Sequence, residues 1–384
     1  MPAQDDREQH AAAPPVTRAL SVIKVTRGML RLPEHLKSPV ERHPYAGVGG
    51  PYKEMLTTSA WGPSNDDQEP ALLLAALGDE PIGRISLFSG RVHVDGRSVP
   101  MLWCSGLDVP KEHRQTGAGL MLLLAVRALP VPVGVVGVSR QALDLYVKLG
   151  WKHMTATRYV LLLRSRPIIE ARFGAGPRGR LLQGAVDAVL RLHQTALRGA
   201  FRWRARALTV ELRDELPATL DPLIETVSSA GLRCHRSTRW VNWCMRTGPK
   251  DNQRRLYLVS ERSGAPLGYF VSSTGTHQEA GGRQLAGLRL ASLRDWVSFD
   301  PERLPDELLI SVAVRTMMNG AAEAVEICVP EPGVGDKLRR LGMFARGALH
   351  FLVRAPTGTL PDPASDGADL DWWWRPADGD GFVN

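Results

Sequence analysis

Cysteine is scarce in this chain, and the few cysteines lie far apart. Four occur among 384 residues, with no CxxC pair and no nearby histidine cluster. Structural zinc sites need closely spaced Cys and His ligands, so no metal site is predicted. We interpret the four as buried, reduced thiols of a cytosolic protein. They are Cys104, Cys234, Cys244 and Cys328.

Long apolar segments are also missing. A membrane-spanning helix needs roughly 18 to 20 successive apolar residues, and no stretch approaches that length. Residues 1–20 lack the apolar centre of a secretory signal peptide and are interpreted as a disordered tail. The sequence therefore favours a protein without a transmembrane segment, located in the cytoplasm.

Size and composition indicate a folded protein. At about 100 to 200 residues per domain, 384 residues predict two domains. Apolar residues make up 43% and charged residues 23%, which argues against a disordered or fibrous chain. The net charge of +8 suits anionic partners such as phosphorylated cofactors. Arginine is concentrated between Arg166 and Arg206, where the only acidic residues are Glu170 and Asp187.

Strand and helix signals alternate over residues 21–164. Two pairs of apolar runs joined by turns predict hairpins. A helix, a short apolar strand and a second helix follow, the last with Ser139 as N-cap and Gly150 as its stop. We predict an α+β (mixed α/β) domain, with a mixed, mostly antiparallel sheet flanked by helices. The segments are 71–88, 91–109, 112–128, 131–138 and 139–150.

Residues 165–206 are predicted to form a basic helical linker, in which apolar residues recur at helical spacing. The favoured interpretation is that this apolar stripe packs on a neighbouring domain. Contact of residues 178–206 with an anionic membrane surface is the alternative. The stripe consists of Leu181, Leu182, Ala185, Val189 and Leu192.

Residues 207–355 repeat features of the first domain in the same order. "PYKEMLTTSAWGP" corresponds to "RWVNWCMRTGP", "EPIGRI" to "APLGYF", and "LDLYVKLGW" to "GDKLRRLGM". Three ordered matches predict a tandem duplication. The C-terminal tail, residues 356–384, carries three adjacent tryptophans and is predicted to dock on the folded domains. The aligned pairs include Gly83 with Gly268, Asp144 with Asp336, Leu149 with Leu341 and Gly150 with Gly342.

Residues 114–119, Arg-Gln-Thr-Gly-Ala-Gly, lie between a predicted strand and a predicted helix. Small residues at a helix start leave backbone N–H groups accessible at the positive end of the helix dipole, where phosphate oxygens bind. A helix entry that merely needs a positive φ is the alternative. The GxGxxG of dinucleotide sites and the Gly-Lys-Ser/Thr of Walker loops are absent from this segment.

In this order the segment resembles the [RQ]xxGx[GA] signature of the GNAT superfamily of acetyl-CoA-dependent N-acetyltransferases. Arg114, Gly117 and Gly119 fill the signature, and "YVKLGW" is similar to the family's closing motif through Tyr146 and Gly150. The resemblance covers the first domain well and the second loosely. It implies two tandem GNAT-like domains, with acetyl-CoA or another acyl-CoA as co-substrate and no metal.

The resemblance also implies a role for individual residues. The pyrophosphate of acyl-CoA would be held at residues 114–119, and the pantetheine arm by the strand from Leu107 to Val109. Tyr146 would protonate the leaving thiolate, with core packing as its alternative role. The phosphate-binding residues are Arg114, Gln115, Thr116, Gly117, Ala118 and Gly119.

No motif identifies the base that takes the proton from the acceptor amine. Asp108 lies in the cofactor-binding strand, although strand alternation can turn it outward. Glu54, His93, His43 and a chain of waters are equal alternatives. The amine would attack the activated thioester directly, without a covalent intermediate.

The second domain departs from the pattern. Leu338 stands where the alignment places Tyr146, and the helix entry is acidic rather than glycine-rich. Acidic side chains would repel a pyrophosphate, so this domain is predicted to be catalytically silent. The acidic residues are Asp300, Glu302, Asp306 and Glu307.

Two other functions stay open. One is aminoacyl transfer from tRNA, as in the Fem family, and the other is ligand or partner binding without turnover. The favoured partner is a small-molecule amine, with no nucleic acid. Exposed tryptophan faces would suit an amino sugar, although core packing is the commoner role. The tryptophans considered are Trp240, Trp243 and Trp296.

Overall fold

A computed structural model describes residues 19–33, 37, 52–58, 67–94, 96–174, 176–228, 232–247, 253–276, 287–329, 332–360 and 372–377. These residues form one mixed sheet of fourteen strands with helices packed on both faces. The strands are β1 Leu20–Thr26, β2 Pro70–Leu77, β3 Glu80–Val94, β4 Arg97–Asp108, β5 Val133–Val136, β6 Lys152–Leu162, β7 Leu208–Arg213, β8 Leu232–Cys234, β9 Gln253–Glu261, β10 Pro266–Thr276, β11 Arg289–Ser298, β12 Ala324–Val329, β13 Phe344–Arg354 and β14 Trp372–Trp373.

The helices are α1 Arg27–Arg31, α2 Tyr52–Thr57, α3 Ala118–Arg127, α4 Arg140–Lys148, α5 Arg166–Phe173, α6 Pro177–Arg204, α7 Asp221–Ser228, α8 Thr238–Arg246, α9 Asp306–Met318 and α10 Pro332–Arg340. Short 3-10 helices cover Lys111–Thr116 and Ala218–Leu220. The predicted N-cap of α4 is confirmed, because the Ser139 hydroxyl accepts a hydrogen bond from the N–H of Ala142 at 3.3 Å. Gly150 follows α4 with a φ of 81°, which is the left-handed conformation of a helix stop.

The two halves of the chain exchange strands. The sheet order is β1-β2-β3-β4-β5-β13-β6-β12-β11-β10-β9-β7. Strand β13, from the second half, pairs with β5, whereas β6, from the first half, pairs with β12. The sheet therefore runs without interruption across the predicted units 21–164 and 207–355, and each half needs the other to complete its sheet.

Strand directions repeat from one half to the other. Strands β2, β3 and β4 are antiparallel neighbours, and β4 runs parallel to β5. Strands β9, β10, β11 and β12 follow the same order and directions. The ends of α4 and α10 also match, since a residue with positive φ follows each helix at the aligned positions, Gly150 and Gly342.

Alternate residues of the sheet belong to different cores. Met101 and Trp103 lie in a large cluster that extends over one face of both halves. Leu102 and Cys104 point to the opposite face, where they pack with α3 and α4. A third cluster, under α6, α9 and α10, belongs to the second half. All four cysteines are buried and free, as expected.

Helix α6 does not bury the apolar stripe that the sequence was expected to pack on a neighbouring domain. Leu181, Val189 and Leu192 are 78%, 68% and 75% exposed, and the inward face carries Gln194, Leu197 and Phe201 instead. Leu182 and Ala185 are exposed as well. The favoured interpretation of the stripe was therefore wrong. Although α6 is 28 residues long, none of the helices described above is long and apolar enough to cross a membrane.

The C-terminal segment docks on both halves, as predicted. Strand β14 pairs with β8, which pairs with β3. The Trp374 ring is buried and stacks on Phe351 of β13 at 4.9 Å between ring centroids. The guanidinium of Arg375 lies 3.7 Å from the ring centroid of Trp296. The N–H of Ala377 donates to the carbonyl of Arg294 in β11 at 2.9 Å.

We expect Trp374→Ala to lower the free energy of unfolding by about 3 to 5 kcal/mol, because it leaves a cavity in the shared core. Urea unfolding followed by circular dichroism measures the change. The matched control is Trp203→Ala, because Trp203 is 68% exposed; its effect should stay within about 0.5 kcal/mol. Equal effects of the two substitutions would contradict the docking of the tail.

Candidate functional site

Strands β4 and β5 part near the middle of β4. Their register runs from Leu102 opposite Val133 to Cys104 opposite Val135, whereas β4 itself continues to Asp108. A bulge follows directly: between Ser105 and Asp108, β4 has one residue more than β3. Gly106 supplies the positive φ, 61°, at this bulge. Bulges bend a strand and increase its twist, so the end of β4 turns away from β5.

The residues expected to bind pantetheine lie on this diverging end of β4. Leu107 and Val109 are half-buried, and both pack against the cluster under α3 and α4. Asp108 is exposed, at the last position of the strand. The expectation that strand alternation turns Asp108 outward is thus met.

The expected phosphate-binding segment is more ordered than an open loop. Gln115 and Thr116 belong to the 3-10 helix Lys111–Thr116, and α3 begins at Ala118. Gly117 joins the two helices with a φ of 84°, a conformation that glycine adopts without strain. A Cβ at Gly117 would meet no atom within 4 Å, and one at Gly119 only Val109 at 3.8 Å. The corner is therefore open to a ligand.

Charged side chains of both signs flank this corner, since Glu112 and Asp108 are exposed beside Lys111 and Arg114. Arg114 and Lys111 are exposed, and Arg114 Nε donates to the carbonyl of Val109 at 3.3 Å. The hydroxyl of Thr116 accepts from the N–H of Ala118 at 3.3 Å. The N-terminus of α3 adds the positive end of its dipole. An anion at this corner would be stabilised by side chains and by the helix together.

Tyr146 belongs to α4 and points into the cluster between α3, α4 and the sheet. Its ring is 2% exposed and meets Trp151 edge-on, with 5.0 Å between the ring centroids. Burial, and then the neighbouring Cys104 thiol, raise the pKa of Tyr146 above its ordinary value. Burial likewise raises the pKa of Cys104. The phenol therefore stays protonated at neutral pH, next to the last residue at which β4 pairs with β5.

The expected bases do not converge on this site. Glu54 is exposed, and His43 lies outside the described residues. His93 is buried near the other end of β3 and contacts His235. Burial is the main cause that lowers the pKa of His93 and brings that of His235 to about 3, so both rings are neutral at pH 7. Among the described residues, no three His, Cys, Asp or Glu side chains are grouped so as to hold a metal ion.

One histidine pair near the cleft has no signal in the sequence. The Nε2 of His153 in β6 lies 3.0 Å from the Nδ1 of His350 in β13. The carbonyl of His350 accepts from the N–H of Gly137, directly after β5. Burial, and then His350, lower the pKa of His153. The pair reaches this place only because β13 lies between β5 and β6.

Trp103 closes the other face of the sheet beside the parting strands. Its indole crosses Gly134 of β5 and Gly90 of β3 so closely that a methyl group at either position would overlap the ring. Phe351 follows at 5.7 Å from Trp103, between ring centroids, and Trp374 stacks on Phe351. Sequence reasoning missed this row of rings. A glycine inside an apolar strand, such as Gly134, was the available signal, because it marks a close approach.

The corresponding place in the second half is occupied. The register of β11 with β12 ends at Leu293, and a bulge at Arg294 follows. The C-terminal segment lies here, since Ala377 donates to the carbonyl of Arg294. Arg375 Nη2 lies 3.3 Å from a carboxylate oxygen of Asp306, in the first turn of α9. Leu338 is buried at the position that corresponds to Tyr146.

Comparisons with known proteins support the fold only. No protein-family model matches the chain, and no curated protein matches it in sequence. Saccharomyces cerevisiae N-myristoyltransferase with bound myristoyl-CoA is 12% identical, with 88% of this chain and 79% of that chain covered and a TM-score of 0.52. A probable N-acyltransferase of unknown function from Enterococcus faecalis V583 is 10% identical over 88% and 73%, with a TM-score of 0.50.

A GCN5-related N-acetyltransferase from Anabaena variabilis ATCC 29413 is 13% identical over 88% of this chain and 73% of that chain, with a TM-score of 0.49. At these identities the two matches with a TM-score of at least 0.50 show the shared architecture and nothing finer. That architecture agrees with the order of strands and helices around the cleft. The chain has the GNAT fold, a large mixed sheet flanked by helices.

Proposed function

We propose that this protein is an N-acyltransferase that moves a short acyl group, such as acetyl, from acyl-CoA to an amine. One observation carries the proposal. Where β4 parts from β5 after Cys104, an open glycine corner stands at the start of α3, and a protonated phenol lies beside the last paired residue. These are the parts needed to hold a diphosphate, align a thioester and protonate a thiolate.

The binding mode follows from the backbone. The pantetheine arm would run along β4 from Leu107 to Val109, as an added strand beside the diverging end. Its pyrophosphate would lie at the N-terminus of α3, near Gly117 and Gly119, and Arg114 and Lys111 would add charge. The myristoyl-CoA bound to the yeast neighbour also supports an acyl-CoA as co-substrate.

The chemistry needs alignment more than activation. An amine placed against the thioester carbonyl attacks it directly, because the thioester is already reactive. The carbon–sulfur bond breaks as the nitrogen–carbon bond forms, and the leaving thiolate takes a proton from Tyr146. The amine loses a proton to a base that we leave open among Asp108, water and the His153–His350 pair.

The size of the acyl group is limited by the row of rings behind the cleft. Trp103 lies over Gly134, one residue before the last pair of β4 with β5. Phe351 and Trp374 extend the row. A long chain entering from the α3 side would meet these buried rings, whereas an acetyl group ends before them. We therefore favour acetyl-CoA over myristoyl-CoA for this chain.

Only the first half is proposed to bind acyl-CoA. In the second half the C-terminal segment lies at the end of β11, and acidic Asp306 and Glu307 stand in the first turn of α9. The acceptor is proposed as a small-molecule amine. The structure gives less reason to propose an amino sugar as the acceptor, because Trp240, Trp243 and Trp296 are buried in the core and present no exposed face.

Acetyl-CoA at 100 times its dissociation constant should raise the stability of the wild type by about 2.7 kcal/mol. Gly117→Glu should abolish this gain, because it puts bulk and negative charge in the anion site. Gly264→Glu is the matched control, since Gly264 also has a positive φ, 92°, and open space around it, but lies in the β9–β10 turn. Thermal unfolding with and without acetyl-CoA measures the gain. Its absence in the wild type would favour the aminoacyl-transfer or binding-only alternatives.

Tyr146→Phe should lower kcat by about 100-fold, the lower range for loss of a general acid, and leave the Kd of acetyl-CoA unchanged. The raised pKa of Tyr146 keeps its phenol protonated. Deprotonation of Tyr146 should therefore not lower the wild-type kcat as the pH rises past 10, the ordinary pKa of tyrosine. Release of free CoA with a panel of amines measures kcat. Tyr257→Phe, on β9, is the control. Unchanged kcat in Tyr146→Phe would remove the proposed donor.

Trp103→Leu should widen the range of acyl groups. We expect the ratio of kcat/KM for hexanoyl-CoA to that for acetyl-CoA to rise by at least about tenfold, the effect of removing a steric barrier in an apolar pocket. Because it is a ratio, general destabilisation does not move it. Trp243→Leu, in the same core but on α8, should leave the ratio unchanged. The length-limit proposal fails if both variants behave alike.

A further inference from the structure

Helix α6 presents an apolar stripe to solvent. Leu181, Val189, Leu192 and Trp203 are 78%, 68%, 75% and 68% exposed. At 100° per residue these four positions fall within one quarter of the helix circumference, opposite the inward-facing Phe201. They extend from residue 181 to residue 203, a rise of about 33 Å along the helix. Scattered apolar residues are ordinary on a surface, but four large ones aligned on one face of a helix point to an interaction site.

Arginine lines one side of the stripe. Arg180, Arg191 and Arg198 are exposed and share one side of the helix, between the stripe and the inward face. The only acidic residue of α6, Asp187, lies on the same side as these arginines, where its carboxylate accepts hydrogen bonds from the N–H and the hydroxyl of Ser165 at 2.8 Å each and its carbonyl accepts one from Arg191 Nε at 3.2 Å. The outward surface of α6 is therefore apolar, with three arginines against one aspartate beside it.

The neighbouring helix α5 exposes a further apolar side chain. Phe173, the last residue of α5, is 55% exposed. The guanidinium of Arg172 lies 5.8 Å from the centroid of its ring. Aromatic rings beside arginines, next to an apolar helix face, are typical of helices that lie in the headgroup region of a bilayer.

We propose that α6 is a docking surface for an anionic lipid membrane, on which it lies parallel to the bilayer plane. The apolar stripe would enter the boundary between headgroups and acyl chains. The arginines would reach lipid phosphates with their charged ends while their stems stay against the stripe. The proposal does not depend on the proposed enzyme activity.

Charge complementarity favours lipid over a second copy of the chain. Two copies paired through this face would bring two arginine rows together, with a single acidic residue on each α6, Asp187, whose carboxylate is already hydrogen-bonded to Ser165. An anionic bilayer instead supplies negative charge along the whole helix. A bilayer also accepts an apolar helix face without a complementary groove, which a protein partner would need.

Sedimentation with vesicles tests the proposal. The full chain should sediment with vesicles of phosphatidylcholine and phosphatidylserine at a 7:3 ratio, and much less with phosphatidylcholine alone. Leu192→Glu should weaken this binding by at least about tenfold, since it removes apolar contact and adds repulsion. Leu212→Glu, at a 61% exposed leucine of β7, is the matched control and should bind as the wild type does. Both side chains are exposed, so circular dichroism and Tm should be unchanged.

Arg180→Glu combined with Arg191→Glu should remove the preference for phosphatidylserine, by about tenfold or more. Three results would overturn the proposal. They are no binding of the wild type to anionic vesicles, equal binding of Leu192→Glu and Leu212→Glu, and a wild-type dimer in light scattering that Leu192→Glu converts to a monomer. The last would assign the stripe to a second copy.

Discussion

The parting of β4 from β5 is the constraint on which the candidate site depends. An extra residue in one strand of an antiparallel pair bends that strand and increases its twist. Here the bulge at Gly106 follows the last pair, Cys104 with Val135, so the end of β4 diverges toward the start of α3. Because α3 begins ten residues after Asp108, the last residue of β4, the helix N-terminus opens near the end of the diverging strand.

The exchange of β6 and β13 places a strand of the second half beside the candidate site. Strand β13 fixes β5 on the side away from β4, and it brings His350 and Phe351 from the second half to the first. The C-terminal segment then stacks Trp374 on Phe351 and places Arg375 against Trp296. A core shared in this way couples the two halves, so the site is supported by residues from nearly the whole length of the chain.

The local parts of this arrangement were predictable. Turn glycines, the Ser139 cap and the small residues after Arg114 act on their immediate neighbours, so their meaning is contained in the sequence around them. The exchange of β6 and β13 was not, because the two strands are alike in length and in their mixture of apolar and polar residues, and nothing local selects their partners. The stripe on α6 could not be assigned a direction from the sequence either. Periodicity shows that one face is apolar, but the face that meets the core is the one with Leu197 and Phe201, which pack in the cluster under α6. The role of Tyr146 could not be predicted either, because its burial fits both core packing and proton donation to the thiolate.

The central claim is that backbone donors at the start of α3, and not those at the start of α9, hold the diphosphate of acyl-CoA. Amide hydrogen exchange of the full chain, with and without acetyl-CoA, tests this most directly. The account predicts slower exchange in residues 105–121 on addition of acetyl-CoA, with no change in residues 298–310. Unchanged exchange in residues 105–121, or protection confined to residues 298–310, would contradict it.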